Sequence, residues 1–430
     1  MFSKKKILII IGFILVVVII GFLLYYFFFR AAKPVQPVEV IPPVIPISKL
    51  PATREAWDQM TVAERARRGL PLNVWPGEEE PVAPITPEAQ PVAPQISDIA
   101  EGGKTWINPV GADPVSFPSP SLDGNGSIYY NSSDGRFYKL DQNGQKTLIS
   151  QKQFFDVKNV SWAPTKDRAV IEYPDGFKIM YDFSKDKQYT LPQNWSEFSW
   201  NSVGSRLSFK MDSQFPENRW LAVSNPDGTK ITPIEAMGDN ADKVIVNWSP
   251  AGQVVAFSKT GEPRDGWQQE ILLIGPNGEN YKSLVVEGRG FLPEWAPQGD
   301  KIAYSVYISV NGFKPNLYVA DATGGDNTGA NKIATNLNTW ADKCAFNASG
   351  TSLYCAVPKD LPDGSGLFRE LADDAKDDFY RVDIKTGVVS FLAEGALGSY
   401  NATNLYLSSD ESTLYFVDKD TSYLKSIKLK

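Results

Sequence analysis

The hydrophobic and polar positions divide the chain into three regions of different texture. An unbroken apolar run extends from Ile7 to Phe29, after three lysines and before Arg30. At about 1.5 Å per residue, a helix over this run would be roughly 34 Å long, enough to cross a hydrocarbon layer of about 30 Å. The run predicts an uncleaved transmembrane anchor over 1–30, because a cleavable signal peptide has an apolar core of only about 7–15 residues that ends in small residues. The lysines predict a single pass through the plasma membrane, with the N-terminus cytoplasmic and the C-terminal domain extracytoplasmic.

The second region, 31–100, is rich in proline and shows no regular helical or strand period. Because proline lacks a backbone N–H and disfavours both helices and sheets, this composition predicts an extended extracytoplasmic linker. One interruption, over 53–69, has acidic residues early, arginines late, and Gly69 and Pro71 at its end. That arrangement predicts a short helix within the linker.

The third region, 101–430, consists of short alternating runs separated by turns rich in Gly, Asn and Asp, which is typical of β-strands. One phrase recurs, for example as SWAPTKDRAVIEY from Ser161, NWSPAGQVVAFSK from Asn247 and EWAPQGDKIAYSV from Glu294. A large apolar residue marks the same position in each copy: Trp162, Trp200, Trp248, Trp295, Phe346 and Leu407. Repeats of this size predict an all-β fold, a β-propeller of four-stranded antiparallel blades. A looser copy from Ser119 makes the number of blades seven, with six as the alternative.

Each copy predicts four strands, here called A to D, of which A ends at the marker residue and B is an alternating run such as KIAYSV. Strand C is a run such as WLAVS or NLYVAD, and a turn such as NPDG or ATGG precedes strand D. The last copy stops after strand C. Residues 104–108 (KTWIN) are therefore predicted to supply its strand D and to close the ring, which would remove exposed sheet edges.

The phrases WAPxxD, WSPxG and WAPQGDKIAY resemble the WSPDGKxIAF-type signature of TolB-type, WD-like extracytoplasmic β-propellers. The resemblance covers 101–430 and implies a rigid platform that binds proteins or small ligands. The chain differs from the TolB type because a linker, and not an α/β domain, precedes the propeller. A TolB role in outer-membrane assembly is therefore not carried over.

Composition narrows the chemistry that this platform could perform. The sequence contains no histidine, which excludes Ser/His/Asp triads, Cys/His nucleophiles and zinc-protease motifs. Acidic residues outnumber basic ones by 50 to 43, so the chain is a poor match for nucleic acid. No catalytic constellation is recognisable, and the sequence favours a binding protein over an enzyme.

The candidate binding residues lie in the connections between strands B and C and between strands D and A, which topology places on one face of the propeller. The B-to-C connections 211–218, 259–269, 307–315 and 358–378 are the longest, and long loops on a rigid scaffold commonly carry binding sites. The predicted contact residues are Phe215, Arg264, Asp265, Trp267, Tyr307, Phe313, Phe368 and Trp340. The aromatic residues of the D-to-A connections, namely Phe154, Phe155, Trp195, Phe291 and Trp340, are also interpreted as wedges between blades.

Acidic residues near strand A could line the central channel and hold calcium through oxygen ligands, with Asp156, Asp242, Glu294 and Asp342 as the candidates. Their offsets from the marker residue differ, which favours solvated charges at the rim. The acidic run Asp373, Asp374, Asp377 and Asp378 is interpreted as a solvated insert. No other cofactor is predicted.

The two cysteines are predicted to pair. A hairpin turn at Ser349 and Gly350 places Cys344 opposite Cys355 on strands A and B of one blade. An extracytoplasmic location permits a disulfide there.

These features predict a membrane-anchored propeller that serves as a protein-binding scaffold in the cell envelope, with another envelope protein as its partner. Two alternatives remain. The propeller could bind glycans or small ligands, or it could be a metal-dependent, lactonase-like hydrolase that uses the central channel.

Overall fold

A computed structural model describes residues 53–68, 96–264 and 266–430, and the chain divides into two compact units, 1–90 and 91–430. The apolar segment 7–29, most of the proline-rich linker and Asp265 lie outside the described residues. None of the helices in the described ranges is both long and apolar enough to span a membrane.

In the first unit, two short helices replace the single helix predicted over 53–69. These are α1 (Arg54–Asp58) and α2 (Val62–Arg67). The side chain of Thr53 caps α1 and that of Thr61 caps α2, each accepting a backbone N–H at 3.3 Å. A Thr cap satisfies the free N–H groups that begin a helix, so Thr61 starts a new helix where the prediction continued the old one.

The second unit is a seven-bladed β-propeller of four-stranded antiparallel blades, which confirms the predicted fold class and the higher of the two predicted blade counts. Blades one to seven begin with strands β3, β7, β11, β15, β19, β23 and β27. Two strands precede them in the chain. The strand bounds are β1 Gly103–Thr105, β2 Ile107–Pro114, β3 Ser116–Pro120, β4 Gly126–Asn131, β5 Arg136–Asp141, β6 Lys146–Leu148, β7 Asn159–Trp162, β8 Arg168–Glu172, β9 Lys178–Asp182, β10 Lys187–Leu191, β11 Trp195–Trp200, β12 Leu207–Met211, β13 Trp220–Ser224, β14 Thr232–Ala236, β15 Val244–Val246, β16 Ala256–Ser258, β17 Gln269–Ile274, β18 Asn280–Val286, β19 Arg289–Trp295, β20 Lys301–Tyr307, β21 Pro315–Asp321, β22 Ile333–Ala334, β23 Cys344–Phe346, β24 Ser352–Pro358, β25 Asp377–Asp383, β26 Val389–Gly395, β27 Ala402–Leu407, β28 Thr413–Asp418 and β29 Tyr423–Lys428.

The marker tryptophans explain why the phrase recurs. In three blades the indole Nε1–H of the marker donates to a backbone carbonyl of strand A, or of the residue after it, in the preceding blade: Trp162 to Phe117 at 2.8 Å, Trp200 to Ser161 at 3.0 Å and Trp295 to Asn247 at 3.4 Å. Trp248 instead donates within its own turn, to Gly252 at 3.4 Å. Indole combines a large apolar surface with one N–H donor, so it both fills the gap between blades and joins their inner strands.

Phe346 and Leu407, the markers of blades six and seven, have no side-chain N–H to donate. In their place the Glu411 carboxylate of blade seven accepts the backbone N–H of Ala348 at 3.1 Å and the side-chain amide of Asn347 at 3.3 Å. Hydrogen bonds between their A-to-B turns therefore contribute to the contact between these two blades.

The N-terminal side of the propeller sequence closes the ring, as predicted, but the strand differs. Strand β2 pairs antiparallel with β29 and supplies strand D of blade seven. Lys104 and Thr105, which the prediction included in the closing strand, belong instead to β1, Gly103–Thr105, which pairs in parallel with β26 of blade six. The predicted segment 104–108 thus straddles two blades, and the closing strand runs on to Pro114.

The A strands lie innermost and surround a central channel. Strands from blades one, five, six and seven contribute to a cavity of about 300 Å³ there. Four of the five aromatic residues predicted as wedges are buried, namely Phe154, Trp195, Phe291 and Trp340. Phe155 is the exception, with 61% of its surface exposed. The face that carries the B-to-C and D-to-A connections is called the loop face, and the opposite face is called the turn face.

Candidate functional site

Exposed large apolar side chains concentrate on the loop face. Phe215 and Phe368 are 62% and 57% exposed, although phenylalanine is normally buried. The described residues of this kind on the loop face are Phe155, Phe215, Trp267, Val310, Leu367, Phe368, Leu371 and Leu397. Since exposed apolar clusters mark interaction sites on soluble domains, the loop face is the candidate functional surface.

Three predicted contact residues come together as an aromatic cluster, made of Trp267, Tyr307 and Phe313. Trp267 lies in the B-to-C connection of blade four, Tyr307 ends strand B of blade five, and Phe313 lies in the connection that follows. The rings of Trp267 and Phe313 meet edge to face with centroids 5.6 Å apart, and those of Tyr307 and Phe313 meet likewise at 6.3 Å. Trp267 packs against Phe313 and still keeps 39% of its surface exposed, so the cluster is accessible to solvent.

Charged groups border the aromatic cluster. The Arg264 guanidinium contacts the Glu270 carboxylate at 3.2 Å, and the guanidinium of Arg289 donates to the backbone carbonyl of Trp267. The hydroxyl of Ser283, together with Arg264, holds the pKa of Glu270 below its usual value. Asp265 lies outside the described residues, so its predicted role stays a prediction.

The longest connection, 359–376 in blade six, is called the pinned loop because it bonds to the blades on either side. The backbone N–H groups of Gly364 and Gly366 donate to the carbonyls of Gly312 at 2.7 Å and Phe313 at 2.8 Å, in blade five. A Cβ on Gly366 would lie 2.6 Å from the Phe313 carbonyl oxygen, so this approach requires glycine. On the other side, the Asp373 carboxylate lies 2.6 Å from Lys419 of blade seven.

Arg369 anchors the middle of the pinned loop. Its guanidinium bonds both oxygens of Asp342, at 2.6 and 2.9 Å, and lies 4.8 Å from the centre of the Trp340 ring. Bidentate pairing and stacking on an aromatic face are both favourable uses of a guanidinium. Trp340 is only 7% exposed, which corrects its prediction as an exposed contact residue. It is a wedge covered by Arg369.

A buried ion pair lies beneath the pinned loop. The Lys343 ammonium is 2.8 Å from the Asp377 carboxylate, and these side chains are 6% and 0% exposed. The same carboxylate accepts the backbone N–H of Ala402 in blade seven at 2.7 Å. Burial raises the pKa of Asp377 and lowers the pKa of Lys343, and the pairing offsets part of both effects. The acidic run predicted that Asp377 belongs to a solvated insert. This prediction is wrong for Asp377, whose side chain is buried.

The remaining predicted contact residues are separate. Phe215 is exposed in the B-to-C connection of blade three, directly before a single 3-10 turn, Pro216–Asn218. Phe368 is exposed on the pinned loop. The loop face thus presents the aromatic cluster, the pinned loop and Phe215 as three patches.

The predicted calcium ligands do not assemble. No group of three or more acidic, cysteine or histidine side chains suited to a metal occurs among the described residues. Asp342 is occupied by Arg369, Asp156 lies in a D-to-A connection with a positive φ of 54°, and Asp242 lies in a 3-10 turn, Gly238–Lys243. The geometry does not support a metal centre at these positions.

Glu294 lines the channel cavity, and its carboxylate makes no hydrogen bond or ion pair with the described part of the chain. Burial, with a smaller contribution from the charge of Asp342, raises the pKa of Glu294 from 4.5 to about 7. This carboxyl group therefore changes its charge near neutral pH.

The cysteines lie where the sequence pattern put them. Cys344 is directly opposite Cys355 in the register of β23 and β24, and their sulfur atoms are 2.13 Å apart. The bond lies beside the channel cavity, which Cys344 helps to line.

Comparisons with known proteins bear on the fold. No protein-family model matches the sequence, and no curated protein matches it. An oligogalacturonate lyase in complex with manganese aligns with a TM-score of 0.52 at 14% identity, covering 75% of this chain and 91% of that chain. The oligogalacturonate lyase from Vibrio parahaemolyticus gives 0.50 at 12% identity, covering 75% of this chain and 93% of that one.

A third solved structure, the Cps50 (Swd1) β-propeller domain of Myceliophteria thermophila, gives a TM-score of 0.50 at 9% identity and covers 75% of this chain and 100% of that domain. What this chain shares with all three is the propeller fold. At such low identity a common fold carries no shared activity.

Proposed function

We propose that the chain is a membrane-tethered β-propeller that binds another envelope protein through its loop face. The observation that carries the proposal is the set of exposed aromatic and aliphatic side chains on this face, including the cluster of Trp267, Tyr307 and Phe313. Burying such side chains against a partner is favourable by about 25 cal/mol per Å² of apolar surface. The apolar run 7–29 and the proline-rich linker support tethering at the membrane.

Trp267 is the expected centre of the contact. It is large and partly exposed, its ring is held by Phe313, and Arg264 and Arg289 lie beside it. Tryptophan and arginine are enriched among the few residues that contribute most of the binding energy at protein interfaces. The proposal assigns the loop face a binding role and no catalytic step.

The experiment is site-specific photo-cross-linking in the native cell. Benzoylphenylalanine in place of Trp267 is expected to yield a discrete protein adduct, and the same reagent in place of Leu122, which is 76% exposed on the turn face, is the matched control. Trp267→Ala is expected to weaken binding to the identified partner at least tenfold. Adducts from neither Trp267 nor Phe215, or equal adducts from Leu122, would contradict the proposal.

Glycan binding is the second candidate. The ion pair joins Arg264, in the same loop as Trp267, to Glu270 on the strand that follows, so hydrogen-bonding groups accompany the partly exposed Trp267 ring. Sugar-binding sites combine aromatic faces with such groups. Glycan-array binding by the full chain that Trp267→Ala abolishes, without a protein adduct at that position, would favour this candidate over the first.

A further inference from the structure

The pinned loop exposes its apolar side chains. Around its 3-10 turn, Arg369–Ala372, the side chains of Leu367, Phe368 and Leu371 are 45%, 57% and 49% exposed. The Arg369 side chain, which is 46% exposed, pairs with Asp342. A surface turn of a folded domain normally buries its apolar side and exposes its charges. These three side chains are called the docking knob. Their exposure means that the apolar surface is unpartnered within the described chain.

The docking knob is held in place by bonds that do not involve its own side chains. Arg369 bonds Asp342 at two points, and the side-chain amide of Asn401 donates to the Asp373 carbonyl at 2.7 Å. Gly364 and Gly366 bond the backbone of blade five. Because the loop is ordered before a partner arrives, binding would not have to bear the entropic cost of ordering it.

The charges around the docking knob identify the kind of surface that it fits. Every cation of the pinned loop is already paired: Lys359 with Asp378 at 2.7 Å, Arg369 with Asp342, and Lys376 with Asp420. In contrast, the acids Asp360, Glu370 and Asp374 are exposed and make no ion pair with the described residues. The apolar surface therefore has a rim of uncompensated negative charge, which complements a basic surface.

We infer that the docking knob inserts into an apolar cavity rimmed by lysine and arginine on the partner protein. This inference rests on the proposed function and adds to it the element that docks and the chemistry of the surface that receives it. A membrane with anionic lipids is the less favoured occupant, because its headgroups would repel Glu370 and Asp374.

Photo-cross-linking of the full chain in the native cell tests the inference, with benzoylphenylalanine at Phe368 as the probe. A discrete protein adduct is expected, and mass spectrometry should place the linkage among apolar residues next to Lys or Arg. Glu370→Lys, added to the same chain, should lower the yield at least tenfold, because it puts a positive charge against a basic rim. Asp326→Lys is the matched control: Asp326 is exposed in the turn-face connection between strands C and D of blade five, and its reversal should leave the yield unchanged.

The cross-linking results distinguish a failure of the docking knob from a failure of the proposed function. An adduct from Trp267 but not from Phe368 would overturn the docking knob and leave the proposed function standing, whereas no adduct from any loop-face position would overturn both. A yield that Glu370→Lys does not change would overturn the basic rim.

Two further results would show that the docking knob binds something other than a partner protein of the proposed kind. Flotation of the purified chain with vesicles of phosphatidylcholine and phosphatidylglycerol, lost on Phe368→Ala, would replace the protein with a membrane surface. An adduct with a second copy of this chain would replace the partner with self-association. Phe368 is exposed, so its variants should keep the wild-type melting temperature, which confirms that they fold.

Discussion

The buried ion pair between Lys343 and Asp377 gives the sharpest test of how blades six and seven are joined. In Lys343→Met, the Asp377 carboxylate would keep the N–H of Ala402 at 2.7 Å but would lose its ammonium partner at 2.8 Å, in a site where its side chain is 0% exposed. Leaving one member of a buried pair uncompensated costs about 3–5 kcal/mol. We expect Lys343→Met to lower the free energy of unfolding by that amount at neutral pH, and by less under mildly acidic conditions, because protonation would neutralise the carboxylate.

Two control variants separate this effect from a general loss of lysine. Lys419→Met removes a pair with Asp373 whose side chains are 48% and 57% exposed, so it should cost no more than about 1 kcal/mol. The double variant Lys343→Met/Asp377→Asn removes both charges and keeps an acceptor for Ala402, so it should recover most of the loss. Urea unfolding of the full chain in detergent, followed by tryptophan fluorescence, measures all three. Equal losses for Lys343→Met and Lys419→Met would refute the reasoning.

The marker tryptophans, the channel carboxylate and the cysteines each give a further expected outcome. Trp200→Phe should lower the unfolding free energy by about 1 kcal/mol more than Trp248→Phe, because the first deletes a 3.0 Å hydrogen bond between blades and the second a longer bond, of 3.4 Å, within its own turn, and equal losses in urea unfolding would contradict this. The pKa of Glu294 is raised from 4.5 to about 7, so the folded wild type binds more protons than the unfolded chain between these values and loses stability as pH rises through them. Glu294→Gln should therefore match the wild type near pH 4.5 and exceed it near pH 8, by up to about 3 kcal/mol, whereas a difference that does not change with pH in unfolding curves would argue against the raised pKa. Cys344 and Cys355 should resist alkylation in unreduced mature protein, and an intact mass with two alkyl groups would show that they are not bonded.

The propeller could be predicted from the sequence because its unit repeats and no blade can bury both its faces alone. The marker position carried most of that information, since Trp162, Trp200 and Trp295 serve the same inter-blade contact. Even the loosest copy, from Ser119, forms a blade. The predicted closing strand differs from the observed one by a few residues, because Gly103–Thr105 and Ile107–Pro114 can both form strands. Only the packing against the outer strands of blades six and seven decides which blade each one joins.

The candidate site was predictable in its location and less so in its details. Loop length and aromatic content indicated Trp267, Phe313 and Phe368. The sequence pattern failed at Trp340 because the residue that covers it, Arg369, follows far along the chain. It failed at Asp377 for the same reason. A buried carboxylate among exposed ones looks identical in sequence, and its partner Lys343 lies on another connection.

The two strands at the entry to the propeller, β1 and β2, determine how the domain would respond to tension along the chain. Any pull transmitted from the N-terminal side reaches the three-residue pairing of β1 with β26 before it reaches the pairing of β2 with β29. The first pairing can peel away while the second keeps blade seven complete. Under such tension β1 would separate from blade six first, and the outer edge of β29 would lose its partner strand only after β2 had also separated.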